Sequence, residues 1–511
     1  MSANLNFNAK SVKPTQAPVE SKPLAKRVWS KYQSNIYAFV ESGEGNAIVE
    51  AVAGSGKSTT AVECMSRIPA GKSAIFLAFN KAIAEELKAR GVNARTFHSL
   101  TYSPVTRFKN VRQIETNKLR MIVDHKLSGD DVVMYGQFIT RLVGLGRQAG
   151  IGCLIPDTDQ TWLELVQYHD LELDNDNAEL GRALELASQL LGWSNADARV
   201  DFDDLLYLAV KEGLSLPRFD FVFVDEAQDT NAIQRAILRK ILHARSRLIA
   251  VGDPAQAIYG FRGADSNSLN LIAEEFNCIR LPLTVSYRCP VKVVEYAHRW
   301  VSHIEAADNA MDGEVVDLGE KWNVKNFENN DLIVCRTTKP LVSMCYKFIR
   351  AKIPARIMGR EIGQGLKALV NKMNAKGIDA LITKLNAWTD RECEKAIAKK
   401  QDAKVEAIQD KAEALLCLID GLAETERTVP TLLAVIDQMF SDTKGAITLA
   451  TIHKAKGLEA ERVFWLNSSQ CPAKWAKSEW QQEQERNLCY VAVTRAKRML
   501  VLIEEQKIAS N

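Results

Sequence analysis

The stretch Ala47-Ile-Val-Glu-Ala-Val-Ala-Gly-Ser-Gly-Lys-Ser-Thr59 narrows what this chain can become more than any other. An apolar run of β character gives way to Gly54, Ser55 and Gly56, and then to Lys57, Ser58 and Thr59. A strand, a glycine-rich turn and a helix start in that order aim backbone N–H groups and a helix N-terminus at one anion. In such a loop Lys57 reaches the β- and γ-phosphates of a nucleotide, and the Ser58 hydroxyl ligates Mg²⁺. The pattern G-x-x-x-x-G-K-[ST] is met except at its first glycine, which is Ala51. Taken alone, the stretch is also compatible with an incidental glycine turn.

A second segment answers it. Phe219-Asp-Phe-Val-Phe-Val-Asp-Glu-Ala-Gln-Asp-Thr230 is a continuous apolar run, as in a buried parallel strand, ending on two carboxylates. Ligands of doubly wound sheets sit at the carboxyl ends of the strands. Asp225 would therefore emerge beside the phosphate loop and hold Mg²⁺, and Glu226 would be the base that orients and deprotonates the attacking water. A strand followed by an acidic helix cap is the plainer reading. With Lys57-Ser58 upstream, the pair points to ATP or GTP hydrolysis.

At 511 residues the chain has room for two to four domains. No run of about 18 uncharged apolar residues is present, which argues against a membrane span. Residues 1–25 have no apolar signal core and read as a flexible tail. The ten cysteines are scattered without metal-ligand spacing, as in a reduced, soluble intracellular protein. A net charge of +3 neither announces nor excludes a nucleic-acid partner, since a local basic groove needs no overall excess.

Strand-like runs alternate with helical patterns in two clusters, implying an α/β fold of parallel sheets. The first holds Ala47–Val52, Ser73–Phe79, Phe219–Val224 and Leu248–Val251; the second holds Leu332–Cys335, Ala446–Thr451, Val463–Leu466 and Met499–Ile503. Two stretches interrupt them. Residues from about 103 to 200 look helical, with an acidic, solvated loop at Asp170–Glu179. Residues from about 361 to 440 also look helical, and Ile397, Val405, Ile408, Ala412, Leu415 and Ile419 fall close to one helical face. The simplest architecture is two α/β domains, each with a helical insertion.

Val251-Gly-Asp-Pro-Ala-Gln-Ala-Ile-Tyr-Gly-Phe-Arg-Gly-Ala264 follows a strand and brings Gln256, suited to sensing a γ-phosphate or an ordered water. Tyr259, Phe261 and Arg262 follow in a loop, where the aromatics either pack into a core or stack on unpaired bases. Arg288 stands beside Tyr287, and Arg495 lies near the start of a short helical stretch. An arginine delivered across a domain cleft stabilises charge on a transferring γ-phosphoryl group; an isolated arginine is otherwise an ordinary surface residue.

These motifs, in this order from Gln33 to Lys497, resemble the UvrD/Rep/PcrA group of superfamily 1 DNA helicases, with some likeness to the F-box DNA helicases. By that resemblance Gln33 reads adenine, which favours ATP. Leu77-Ala-Phe-Asn-Lys-Ala82 and Arg95-Thr-Phe-His-Ser-Leu100 are similar to two strand-contacting motifs, which implicates Asn80 and His98. The family often reads Phe-Thr-Asn-Lys where this chain has Ala78-Phe79-Asn80-Lys81, and a shift of one residue on a strand reverses the face. Asp201-Phe-Asp-Asp-Leu-Leu206 resembles the segment re-entering the first motor domain. The resemblance makes Tyr287 the residue stacking on adenine and gives Tyr259, Phe261 and Arg262 to DNA; it makes Arg288 and Arg495 the γ-phosphate arginines. Thr448-Leu-Ala-Thr-Ile-His-Lys-Ala-Lys-Gly-Leu-Glu459 resembles the motif joining DNA to nucleotide, with Thr451 and His453 toward the strand, Gly457 and Glu459 toward the nucleotide.

The resemblance implies two RecA-like parallel-sheet motor domains, the first at 26–102 and 201–285 with an insertion at 103–200. The second would occupy 286–360 and 441–511 with a short insertion at 361–440. It implies ATP and Mg²⁺ as cofactors, and single-stranded DNA and single-strand/duplex junctions as partners. The activity expected is an ATP-dependent DNA helicase moving 3′→5′. A translocase that strips proteins from single strands and unwinds little is the alternative, motivated by an insertion about half the usual length. A nucleotide switch or RNA-directed enzyme is a third reading.

Overall fold

The computed structural model describes residues 28–169, 171, 173, 177–258, 267–398, 401–441 and 446–506. The expected tail at 1–25, parts of the acidic loop at Asp170–Glu179, and the whole of Tyr259, Phe261 and Arg262 lie outside the described residues.

Two six-stranded, all-parallel sheets carry the fold. The first contains β1 (Asn46–Ala51), β2 (Ala74–Leu77), β3 (Ala94–Arg95), β4 (Phe221–Val224), β5 (Arg247–Gly252) and β6 (Cys278–Leu283), in the order β3-β2-β4-β5-β1-β6. A small parallel pair, β7 (Val285–Ser286) and β8 (Glu305–Ala306), follows. The second sheet contains β9 (Glu314–Gly319), β10 (Leu332–Cys335), β11 (Ala355–Ile357), β12 (Ile447–Thr451), β13 (Ala460–Leu466) and β14 (Ala496–Ile503), in the order β11-β12-β10-β13-β14-β9. This is the α/β architecture of two RecA-like domains. Central strands such as Phe221–Val224 and Leu332–Cys335 are buried at every position, because helices cover both faces of a parallel sheet.

The register of the first sheet sets up everything that follows. Glu50 pairs with Gly252, and Val224 pairs with Ala250, so the carboxyl ends of β1, β4 and β5 lie side by side. The loops leaving those three ends carry Gly54–Thr59, Asp225-Glu226 and Asp253–Gln256.

Helices fill the interval between β3 and β4, among them Gly129–Ala149, Asp159–Tyr168 and Phe202–Lys211. A buried ion cluster ties them together: Arg147 donates to Asp201 (3.0 Å) and Asp204 (2.8 Å), and Lys118 donates to Asp204 at 2.6 Å. Four helices between β11 and β12, Arg360–Met373, Ile378–Ala398, Asp402–Gly421 and Val429–Met439, share one core with the second sheet. Asp410 of the third accepts hydrogen bonds from the backbone N–H groups of Thr338 (2.8 Å) and Lys339 (2.6 Å), capping helix Lys339–Arg350 from outside.

One expectation here is corrected. Ile397 does not share a face with Val405–Ile419: its helix ends at Ala398, the next begins at Asp402, and Ile397 is 61 % exposed. The periodic pattern ran across a helix break. Among the described residues no helix is long and apolar enough to cross a membrane.

Candidate functional site

A cleft of about 970 Å³ opens where the carboxyl ends of β1, β4 and β5 face the second domain. Gln33, Gly54, Ser55, Gly56, Lys57, Ser58, Thr59, Asp225, Glu226, Gln256, Tyr287, Arg288, Gly457, Glu459 and Arg495 all line it. Residues more than 400 positions apart in sequence thus surround one space.

The phosphate loop explains its own departure from pattern. Ala51 is the last residue of β1, extended and 2 % exposed, so a methyl group packs where no left-handed backbone is required. Gly54 does need to be glycine: φ is +73°, and a Cβ there would meet Arg288 Cβ at 2.5 Å and Ser286 Oγ at 2.8 Å. The loop then leads through Gly56 into helix Lys57–Ser66, whose N-terminus faces the cleft. Ser55 Oγ is fully buried there without a hydrogen-bond partner.

Lys57 and Glu226 form an ion pair at 3.5 Å across the loop. Burial alone would depress the Lys57 ammonium, but Glu226, Asp253 and Asp225 hold it above the ordinary lysine value. The two adjacent carboxylates are driven apart. Burial and then the Glu226 charge push Asp225 up, whereas Glu226, despite its burial, is held well below the usual range by Lys57 and Lys456. Glu226 also adopts a left-handed backbone at φ +50°, an uncommon state for a non-glycine residue.

The second domain reaches in with cations already engaged. Arg288 donates to Glu459 at 2.7 Å, and Lys497 pairs with the other oxygen of Glu459 at 2.5 Å. Arg495 is 1 % exposed, donating to Val491 O at 2.9 Å and to Gln256 Oε1 at 3.4 Å. Burial, then the nearby Arg288, lowers its pKa to about 10, so it stays charged near neutrality. Gln33 is also occupied: its Nε2 donates to Thr60 at 3.0 Å, and its Oε1 accepts from the Tyr287 hydroxyl at 3.3 Å. Tyr287 itself is 49 % exposed at the cleft wall, leaving its ring face open.

Chemically, an entering polyphosphate would meet a helix N-terminus with Lys57 and, from the second domain, Arg288 and Arg495. Ser58 and Asp225 fit Mg²⁺ in the manner of nucleotide sites, where one carboxylate and one hydroxyl leave positions for phosphate oxygens and water. Among the described residues no group of three or more His, Cys, Asp or Glu could hold a metal by itself. A cation here would need the nucleotide to complete its shell.

The expected strand-facing residues separate into two sets. Asn80 does not stand apart from the nucleotide side: it lines the cleft, and its Oδ1 accepts from Ile83 N at 2.9 Å, capping helix Lys81–Ala89. Phe79, 48 % exposed, lines the same cleft, but β2 ends at Leu77, so Phe79 lies beyond the strand and the one-residue shift reverses no strand face there. His98, Thr451 and His453 do not line it. His98 sits 6.3 Å from the ring of Phe202, which is 54 % exposed, and burial lowers its pKa.

Two residues not singled out from sequence join the site. Lys456 crosses the cleft to donate to Asp229 (2.6 Å) and to Gln256 O (2.7 Å), with Glu226 3.8 Å away. Tyr490, wholly buried, accepts from Ala53 N at 2.9 Å, clasping the phosphate loop from the second domain. The only signals in sequence were their positions inside the last two motifs.

Comparison with known proteins agrees with this arrangement. Residues 32–277 match the UvrD/REP helicase N-terminal domain, and residues 372–507 match the UvrD-like helicase C-terminal domain. The chain is 26 % identical over 497 residues to F-box DNA helicase protein 1 of Schizosaccharomyces pombe, covering 89 % of this chain and 55 % of that one. It is 25 % identical over 296 residues to ATP-dependent DNA helicase PcrA of Leuconostoc citreum, covering 52 % and 38 %. It is 25 % identical over 345 residues to ATP-dependent DNA helicase srs2 of S. pombe, covering 61 % and 37 %. The chain thus spans about half or less of the length of these curated relatives. With both halves of the cleft matched in sequence order, the chain belongs to the UvrD/Rep helicase family.

Proposed function

We propose that this protein is an ATP-dependent DNA helicase that translocates on single-stranded DNA 3′→5′ and unwinds duplex at single-strand/duplex junctions. The observation that carries the reading is the single cleft whose walls come from both sheets, with a phosphate loop on one side and Arg288 and Arg495 on the other. Hydrolysis in such a cleft removes the γ-phosphate that joins the two sides, so turnover is coupled to domain movement.

On this reading Lys57 clamps the phosphates, Ser58 and Asp225 hold Mg²⁺, and Glu226 takes the proton of the attacking water. Gln256 orients that water, Arg288 and Arg495 stabilise the developing charge, and Gln33 and Tyr287 hold adenine. Mg²⁺ bound by Ser58 and Asp225 would supply neutralisation of the charge on the phosphate oxygens. His98, Thr451 and His453 face the strand, together with Tyr259, Phe261 and Arg262; the exposed ring of Phe202 beside His98 adds a stacking face. The domain limits given above serve as the boundaries of motor and insertion. The polarity rests on the family resemblance alone.

The test is steady-state ATP hydrolysis with no polymer, single-stranded DNA, duplex DNA or RNA, followed by unwinding of 3′- and 5′-tailed duplexes. Stimulation by single-stranded DNA and unwinding from the 3′ tail are expected. Turnover indifferent to every polymer would refute the motor. Stimulation with streptavidin displacement but no unwinding would assign the protein to the strand-stripping class.

A further inference from the structure

Away from the nucleotide cleft, a second cavity of about 270 Å³ lies between the helical insertion of the first domain and the second domain. Its walls include Trp475, Trp480, Gln167, Gln481 and Lys477, with Asp402 at one side. We propose that this cavity binds one unpaired nucleobase of the DNA strand on which the motor runs. The inference rests on the proposed function and adds to it a grip outside the motifs that define the family.

The cavity is built for a flat, polar-edged group. Trp475 is fixed in orientation: its Nε1 donates to Glu406 Oε2 at 2.9 Å, and the Arg336 guanidinium lies 5.6 Å from its ring. Arg336 is itself held by Glu485 at 2.9 Å. Trp480 is supported from across the domain boundary by Tyr168, whose ring is 6.3 Å away and within 20° of parallel. Side chains locked before binding lose little freedom when a ligand arrives, so more of the stacking energy appears as affinity.

Two amides line the walls, Gln167 and Gln481. The Gln481 Oε1 accepts from the backbone N–H groups of Lys477 and Ser478, both at 3.2 Å, which fixes its Nε2 as a donor. Gln167 offers both donor and acceptor, the chemistry that reads a base edge. Lys477 stands at the rim with its side chain 77 % exposed, paired at 2.9 Å to an Asp402 that is itself 49 % exposed. Exposed pairs of this kind are weak, and a backbone phosphate can take the ammonium. An aromatic residue of a partner protein would use the indole walls but not the amides or the rim cation, so the nucleobase is the better fit.

Gln167 belongs to the first domain's insertion, and Trp475 through Gln481 to the second domain. Domain movement therefore changes the cavity. A base held here would be gripped in one nucleotide state and loosened in the other.

The experiment uses the full chain and oligothymidylates carrying one 2-aminopurine at each position in turn. Stacking on an indole quenches the probe. A quenched position that depends on Trp480 is expected in the wild type, lost in Trp480→Ala and kept in Trp480→Phe, and Trp480→Ala should bind the oligonucleotide about 5- to 150-fold more weakly. Should Trp480→Ala fail to fold, Lys477→Glu is the second variant, expected to lower the salt slope of binding by about one.

If the wild type binds single strands and is stimulated by them, yet no quenched position depends on Trp480 and the salt slope does not move, the pocket is not a base site. An unaltered oligonucleotide profile together with capture of a tryptophan-containing peptide by the cavity would equally overturn it. A wild type that no single strand stimulates fails in a different way, by refuting the motor itself.

Discussion

Lys456 offers the sharpest quantitative test of how the two domains meet. Its ammonium donates to Asp229 at 2.6 Å and to Gln256 O at 2.7 Å, with side-chain exposures of 8 % for Lys456 and 2 % for Asp229. The other oxygen of Asp229, Oδ1, is buried without a hydrogen-bond partner, so removing the lysine leaves the carboxylate stranded. Breaking a buried pair from one side costs about 3–5 kcal/mol, and Lys456→Met should fall in that range. For a unit of about 200 residues, 3 kcal/mol lowers the unfolding midpoint by about 6–12 °C.

The loss should depend on pH, with a definite sign. Burial raises the Asp229 pKa to about 6, although Lys456 opposes the rise. A carboxyl with a higher pKa folded than unfolded binds protons more tightly in the native state, so its contribution to stability falls as pH rises through that window. Without Lys456 the folded pKa climbs further and the window extends upward. Lys456→Met should therefore be more damaging at pH 8 than at pH 6. Calorimetry on wild type, Lys456→Met, Asp229→Asn and the double variant closes a cycle, with a coupling of about 1–3 kcal/mol expected. A coupling below about 0.5 kcal/mol, or a greater loss at the lower pH, would refute the buried cross-domain pair.

Three further outcomes are expected. Lys57→Ala should abolish ATP turnover, measured by phosphate release, because the phosphate clamp and the Glu226 partner are lost together. Glu226→Gln should retain nucleotide binding by fluorescence titration but lose hydrolysis; retained turnover would remove Glu226 as the base. Arg147→Met should cost about 3–5 kcal/mol in thermal unfolding, since Asp201 would stay buried without its bidentate partner, while Asp204 keeps Lys118.

What the sequence disclosed, and what it hid, divides along physical lines. The eight strand-like runs lie on β1, β2, β4, β5, β10, β12, β13 and β14; the other strands of the two six-stranded sheets, β3, β6, β9 and β11, are their edges, and the two-residue pair β7 and β8 was not disclosed either. Central strands are buried on both faces and read as unbroken apolar runs. An edge strand such as Cys278–Leu283 is exposed at Arg280 and Pro282 and has no such run, while Ala94–Arg95 is only two residues long. The residues of the nucleotide cleft were legible because phosphate chemistry fixes residue types at short spacings. Lys456 and Tyr490 were not, because their partners, Asp229 and Ala53, lie 227 and 437 positions away, and only the assembled fold pairs them. At Asn80 one residue carries two signals, a resemblance to a strand contact and a helix cap, and the fold shows the cap.

The cations of the cleft have protein partners: Lys57 has Glu226, Lys456 has Asp229, Arg288 and Lys497 share Glu459, and Arg495 has Gln256. If ATP binds here, it does so by exchange of partners, and not by filling a charged void. A γ-phosphate drawing Lys57 and Arg288 to itself would release Glu226 and Glu459 in the same event. Glu226, held ionised chiefly by the two lysines, would then face the attacking water with one of its restraining charges removed and its basicity raised. Glu459 would be left with Lys497 alone. On the proposed function, this exchange ties the arming of the base to the arrival of the third phosphate. A nucleoside diphosphate, lacking that group, would leave the Arg288–Glu459 pair closed. Arg288→Ala should therefore weaken ATP binding far more than ADP binding, and an equal loss for both nucleotides would show that the exchange does not occur.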